Sequence, residues 1–168
     1  MAKEAKDNKN NILKYVLSAV VGVAAFLIVF FLVKNPATQG QVVTYEYKDD
    51  SGMTMSVTYY AKADRVYKQT TRNTIPYKAL GVSSKEEAKE MLDDIIAESR
   101  DVKGYTDELE YKDDMVIETV TVDYDVADIV EIKKLTGAYF DDGDTSKGVS
   151  LEKSIKLLEE SGFTKVEK

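Results

Sequence analysis

"MTMSVTYYAKADRVYKQTTRNTIP", running from Met53 to Pro76, decides the fold. In its first half Met53, Met55, Val57, Tyr59 and Ala61 share one face, the period-2 pattern of a strand with one buried side. The segment "AKAD", Ala61–Asp64, supplies a turn. The run resumes at Arg65 and stops at Pro76, which has no N–H to give to a ladder. Two antiparallel strands joined by a tight turn follow from this. Just upstream, "QVVTYEYK" places Val43, Tyr45 and Tyr47 on one face and reaches Met53 through "DDSG", which adds a third strand to the same meander.

Downstream of "ALGV", Ser84 and Glu87 have the spacing of a capping box. Ala88, Met91, Leu92, Ile95 and Ile96 then recur at helical spacing and form one apolar stripe. Glu86, Lys89, Glu90, Asp93 and Asp94 are left to water. "YTDELEYK" and "MVIETVTVDY" flank Asp113-Asp114 as a second hairpin, with Val116, Val120, Val122 and Tyr124 on one face. The string "EYKDD" occurs at Glu46–Asp50 and again at Glu110–Asp114, either as a relic of duplication or as shared turn chemistry. A short helix, "VADIVEIKKL", precedes Gly137. The expected fold is α+β: an antiparallel sheet of about five strands in two hairpin units, packed with two main helices and preceded by one transmembrane helix.

The stretch "YFDDGDTSKGVSLEKS", Tyr139–Ser154, admits three readings. As an EF-hand loop from Asp142 it has Lys147 where the glycine belongs and Lys153 where the bidentate acid belongs; from Asp141, Gly143 stands in a ligand position. As the Ser-x-x-Lys of penicillin-binding acyl enzymes, Ser150–Lys153 lacks the accompanying Ser-Asp-Asn and Lys-Thr-Gly. The third reading uses more of the residues. Ser150 is an N-cap, Leu151, Ile155 and Leu158 form a buried stripe with Leu157 beside it, and Gly162 with Phe163 suits a Schellman-type end.

Composition narrows the chemistry. The 168 residues include no Cys, His or Trp. That excludes thiol and imidazole catalysis, disulfides and soft-metal sites, so any metal would be a hard cation held by oxygens. No catalytic, cofactor-binding or metal-ligating residue is nominated, and no cofactor is expected. Residues 1–39 hold five Lys against one Glu and one Asp, while the rest carries 18 Lys or Arg against 28 Asp or Glu. So acidic a body is repelled by phosphate backbones, and nucleic acid is not an expected partner.

From Tyr15 to Val33 nineteen residues carry no charge, and Ile12 and Leu13 extend the apolar run. At ~1.5 Å per residue, Ile12–Val33 spans ~33 Å, enough to cross a ~30 Å hydrocarbon core. Lys3, Lys6, Lys9 and Lys14 precede it and only Lys34 closely follows, which leaves the N-terminus cytoplasmic. A cleaved signal peptide is the competing reading, though the run exceeds the usual 7–15 residues and Asn35 is a poor −3 residue for cleavage after Ala37. The expected organisation is a cytoplasmic basic N-terminus (1–11), a single-pass anchor in the lipid bilayer (12–34), a linker (35–40) and an extracytoplasmic domain (41–168). Ser18 and Gly22 form a small-xxx-small pair on which two anchors can pack.

Ten of the eleven tyrosines lie in residues 40–168. Tyrosine joins apolar area to a polar tip and suits sugars and peptides. Alternation sets Tyr60 opposite the Tyr59 face and Tyr67 opposite Val66, so both leave the core if the sheet keeps one face open. If helices cover both faces, they are core residues instead.

"RVYKQTTRNTIPYKALGVSSKEEAKEML", "LEYKDDMVIETVTVDY" and "DTSKGVSLEKSIKLLEESGF" resemble, in that order, the YehR-like lipoprotein family of bacterial extracytoplasmic domains of unknown function. The resemblance covers most of residues 42–166. It implies a small α+β domain at a cell surface and brings no catalytic residues. Those lipoproteins attach through an acylated Cys, which this chain lacks; Ile12–Val33 stands in its place. The expected function is a non-enzymatic binding or interaction module at the bacterial cell envelope, its partner an envelope protein, peptide or glycan. The alternatives are a carboxylate-based envelope hydrolase, which needs two acids facing each other across a cleft, and a purely structural or assembly role through Ser18 and Gly22.

Overall fold

The computed structural model describes residues 40–97, 101–128, 130–132 and 149–167. The apolar run Ile12–Val33, with Ser18 and Gly22, lies outside them, as does Asp141–Asp144. Among the described residues no helix is long and apolar enough to cross a membrane.

Strands β1 (Gly40–Lys48), β2 (Thr54–Lys62) and β3 (Arg65–Pro76) form the expected meander. β1 begins at Gly40, so the last residue assigned to the linker already belongs to the sheet. Strands β4 (Tyr105–Tyr111) and β5 (Met115–Asp123) form the second hairpin, and β5 pairs antiparallel with β3 from Lys68↔Asp123 to Pro76↔Met115. The two hairpin units therefore share one sheet. Two short strands correct the expected number of about five to seven: β6 (Val149–Ser150) pairs with the start of β3, and β7 (Thr164–Lys165) with β1. Two-residue strands carry no alternation, so periodicity cannot reveal them.

Both main helices are present, with caps that differ in detail from the expected ones. A four-residue helix α1 (Tyr77–Leu80), not expected, ends on Gly81 with φ 72°. Helix α2 (Lys85–Ala97) starts where Ser84 Oγ accepts the Glu87 N–H at 3.2 Å. The Glu87 carboxylate accepts the Ser83 N–H at 2.8 Å, one residue short of the reciprocal bond of a capping box. Ala88 and Leu92 are buried as expected, and Glu86, Lys89, Glu90 and Asp93 are exposed. Of the short helix before Gly137, a helical turn at 130–132 is described; Asp128 Oδ1 accepts the N–H groups of Val130 and Glu131 at its start.

Helix α3 (Leu151–Glu160) answers the reading of Ser150. Ser150 Oγ accepts the Lys153 N–H and donates to Asp64 Oδ2 at 2.7 Å, while Asp64 Oδ1 accepts the Glu152 N–H at 2.8 Å. The turn between β2 and β3 thus helps to cap a helix 86 residues later. At the other end Gly162 (φ 87°) lets Phe163 N–H reach Leu158 O and Gly162 N–H reach Glu159 O, the two bonds of a Schellman end.

Among the described residues, the sheet is covered on one side. One apolar cluster gathers Tyr45, Val57, Tyr59, Val66, Leu151 and Leu158 beneath α3. A second gathers Ile75, Tyr77, Leu80, Ala88, Leu92 and Val116 beneath α1 and α2. Full burial of a side chain such as Leu92 is worth roughly 1.5–3 kcal/mol.

Candidate functional site

Register places two contrasting surfaces on the same five long strands. On the side away from both apolar clusters, Thr44 pairs with Thr58, Thr58 with Thr70, Thr70 with Thr121 and Thr121 with Thr106. One row of threonines crosses all five long strands. Its hydroxyls meet at 3.0 Å between Thr44 and Thr58 and at 3.4 Å between Thr70 and Thr121.

The two nominated tyrosines come together beside this row. Tyr60 pairs with Lys68 and Ala61 with Val66, which leaves Tyr67 as the extra residue of a bulge. The bulge turns Tyr67 toward Tyr60: the ring centroids are 6.5 Å apart at an interplanar angle of 51°. Lys68 Nζ lies 5.3 Å from the Tyr60 ring centroid. Both tyrosines are half-buried rather than core residues. The remaining tyrosines mostly serve the covered face, where Tyr45, Tyr59, Tyr77 and Tyr105 are buried.

The covered face carries an unexpected polar strip at the seam between its two apolar clusters. Along β3, Gln69, Thr71 and Asn73 occupy successive core-facing positions, and all three are buried. The first two are satisfied: Gln69 Nε2 donates to Thr71 Oγ1 at 2.9 Å, and the Tyr124 hydroxyl donates to Gln69 Oε1 at 3.0 Å. Asn73 faces Glu118 on β5, and its Nδ2 donates to Glu118 Oε2 at 2.6 Å. Asp107 on β4 pairs with Val120, two residues along from Glu118 on the same face; its Oδ2 accepts from the Tyr105 hydroxyl at 3.4 Å. Among the described residues, three buried side-chain oxygens remain without a hydrogen-bond partner: Asn73 Oδ1, Asp107 Oδ1 and Glu118 Oε1.

The electrostatics follow from that burial. Glu118 is 1% exposed; its desolvation, then the nearby Asp107 charge, push the carboxyl far above the usual range against the opposing pull of the Asn73 bond. Desolvation raises Asp107 as well, opposed by the Tyr105 hydroxyl. The Tyr105 hydroxyl is itself driven far up, by burial first and then by the two carboxyls it faces. None of the ion pairs among the described residues engages either acid; they join Arg65 to Asp125, Lys112 to Glu110 and Lys156 to Glu160.

Sequence reasoning missed this strip although it left a signal. Glu118 stands in the same alternation as Val116, Val120 and Val122, and Asn73 in that of Thr71 and Ile75. A charge inside a core-facing alternation is the mark of a buried polar group. Ser150, by contrast, is occupied by Asp64 and the Lys153 N–H, as a capping residue is.

Comparison with known proteins agrees with the fold. A family described as "Protein of unknown function (DUF1307)" matches residues 41–164. The uncharacterized lipoprotein Lin0239 of Listeria innocua is 42% identical over 118 residues, 70% of this chain and 76% of its own length. The uncharacterized lipoprotein YehR of Escherichia coli is 27% identical over 116 residues, 69% of this chain and 76% of its own. The solution structure of YehR superposes with a TM-score of 0.66 at 24% identity, covering 77% of this chain and 93% of that one. A Streptococcus pneumoniae protein structure gives 0.55 at 16% identity, covering 82% and 92%. With the family match running through β1–β5 and α3, and close identity to the Listeria lipoprotein, this chain belongs to the DUF1307 family of YehR-like domains.

Proposed function

We propose that the domain is a binding module held at the outer face of a bacterial membrane, and that it takes an envelope glycan on the open face of its sheet. The observation that carries this reading is the Tyr60–Tyr67 pair, half-buried beside a cross-strand row of threonines. Aromatic rings offer apolar area to a sugar ring, and aligned hydroxyls offer donors and acceptors at the strand spacing of ~4.8 Å. Lys68 adds a positive charge for an acidic sugar. Two observations support the location: the matched relatives bear the name lipoprotein, and the chain, which has no Cys, carries an uncharged run long enough to serve as an anchor, Ile12–Val33.

The reading is of a non-catalytic domain. Asp107 and Glu118 are the acid pair a carboxylate hydrolase would call upon. Glu118, however, lies inside the core at 1% exposure, and a polymer must reach both acids to be cut.

The test uses the full chain in detergent, titrated with cell-wall glycan fragments and with peptides as a second arm. With no Trp and eleven Tyr, the chain reports binding through tyrosine fluorescence. Saturable glycan binding is expected, weakened ~10-fold or more by Tyr60→Ala. Binding by peptides alone, or glycan binding indifferent to Tyr60→Ala and Tyr67→Ala, would overturn the reading.

A further inference from the structure

The seam of the covered face holds a group of atoms that no contact within the described residues explains. Asn73 Oδ1, Asp107 Oδ1 and Glu118 Oε1 come from three adjacent strands, β3, β4 and β5. All three are acceptors, and all are buried without a donor. Asn73 is 0% and Glu118 1% exposed, so bulk water does not serve them. The other ends of the same side chains are engaged: Asn73 Nδ2 with Glu118 Oε2, and Asp107 Oδ2 with Tyr105. These bonds hold the three groups in place while leaving one oxygen of each free.

We propose that these three oxygens form a site for a hard divalent cation. The donor set argues for that class. It contains only oxygen, with no imidazole or thiolate anywhere in the chain, and oxygen ligands select calcium, magnesium or manganese over softer ions. Binding would release the proton that burial keeps on Glu118, and the two ionised carboxylates would then match a double positive charge; a monovalent ion would leave a net negative charge in the core, where it is costly. One shared proton is a poorer solution: it sits on one oxygen, is donated to a second, and leaves the third alone. Among the described residues no group of three or more acids could hold a metal ion; the proposed site therefore rests on two carboxylates and one amide oxygen, and the ion would keep water for its remaining positions. Asp107 is only half-buried and stands on the outermost strand, which gives an ion access from the edge of the sheet. Once bound, the ion would tie β4 to β5 and β3 at the boundary between the two apolar clusters.

The experiment is a thermal melt of the full chain in detergent, stripped with chelator and then titrated separately with calcium, magnesium and manganese. Manganese also reports directly, through the loss of its free-ion electron paramagnetic resonance signal. The expected result is a saturable rise in melting temperature of several degrees with at least one ion, accompanied by stoichiometric manganese uptake. Asp107→Asn and Glu118→Gln keep the side-chain shapes and are expected to weaken binding at least 10-fold; Asp107→Asn, at a half-buried position, keeps the test valid if Glu118→Gln fails to fold. No uptake by the wild type overturns the assignment. So does equal uptake by wild type and Asp107→Asn, which would direct attention to the acids at Asp141–Asp144 instead.

Discussion

Thr70 and Thr71 are neighbours on β3 and live under opposite rules. Thr70 joins the hydroxyl row of the open face, half-exposed and 3.4 Å from Thr121. Thr71 is 5% exposed, and its hydroxyl is held by Gln69. On the open face a polar group exchanges one water for another partner at little net cost. On the covered face each needs a partner inside the protein, because a buried, unpaired acceptor forfeits its hydration. The face that looks apolar in pattern is therefore where polar chemistry has the larger consequences.

Substitutions at matched depth sharpen this contrast. Leu92→Ala, in the cluster under α2, is expected to cost about 2–5 kcal/mol in urea unfolding, because the cavity closes only partly. A cost below ~1 kcal/mol would mean that α2 contributes little to the core.

Glu118→Gln has the next largest effect, and its sign depends on pH. In chelator, burial keeps the Glu118 proton on in the folded state to a higher pH than in the unfolded chain. The folded state therefore binds more protons from about pH 4.5 upward, and wild-type stability falls as pH rises through that range. Replacing the acid with its amide removes this linkage. The variant is expected to gain on the order of 1–3 kcal/mol over wild type at pH 8 and little at pH 4. Unfolding curves at the two pH values decide it; the same difference at both would show that Glu118 is not desolvated as described.

Ser150→Ala removes the hydroxyl that caps α3 and strands half of the Asp64 carboxylate. The expected loss is about 1 kcal/mol. Unchanged stability would leave Asp64, through the Glu152 N–H, as the sufficient cap. Thr58→Ala on the open row is expected to stay within ~0.5 kcal/mol while weakening any glycan binding. A large stability loss there would show that the row is structural.

The same pentapeptide illustrates how much local sequence decides. "EYKDD" leads out of β1 and again out of β4. In the first copy Asp49 Oδ1 accepts from Ser51 N–H and Met53 N–H around Gly52, a longer turn. In the second, Lys112 N–H bonds Met115 O across a two-residue turn. The pentapeptide signals that the chain turns, and the residues that follow it choose the turn.

The alternation in Met53–Pro76 and Met115–Asp123, the stripes of α2 and α3, the Ser150 cap and the Gly162 end were all legible from the chain, because each is a relation among residues a few positions apart. Alternation placed Tyr60 and Tyr67 opposite the core-facing residues but left open whether they leave the core, since that depended on whether one face of the sheet stays uncovered. Their meeting at 6.5 Å was not legible from the chain, since it required the bulge at Tyr67. The remaining features needed tertiary structure: the joining of the two hairpins through β3 and β5, the reach of Asp64 to α3, the two-residue strands, and the gathering of Asn73, Asp107 and Glu118 at one seam. Each depends on register between distant segments, and register follows from how the buried faces pack together, which no single segment contains.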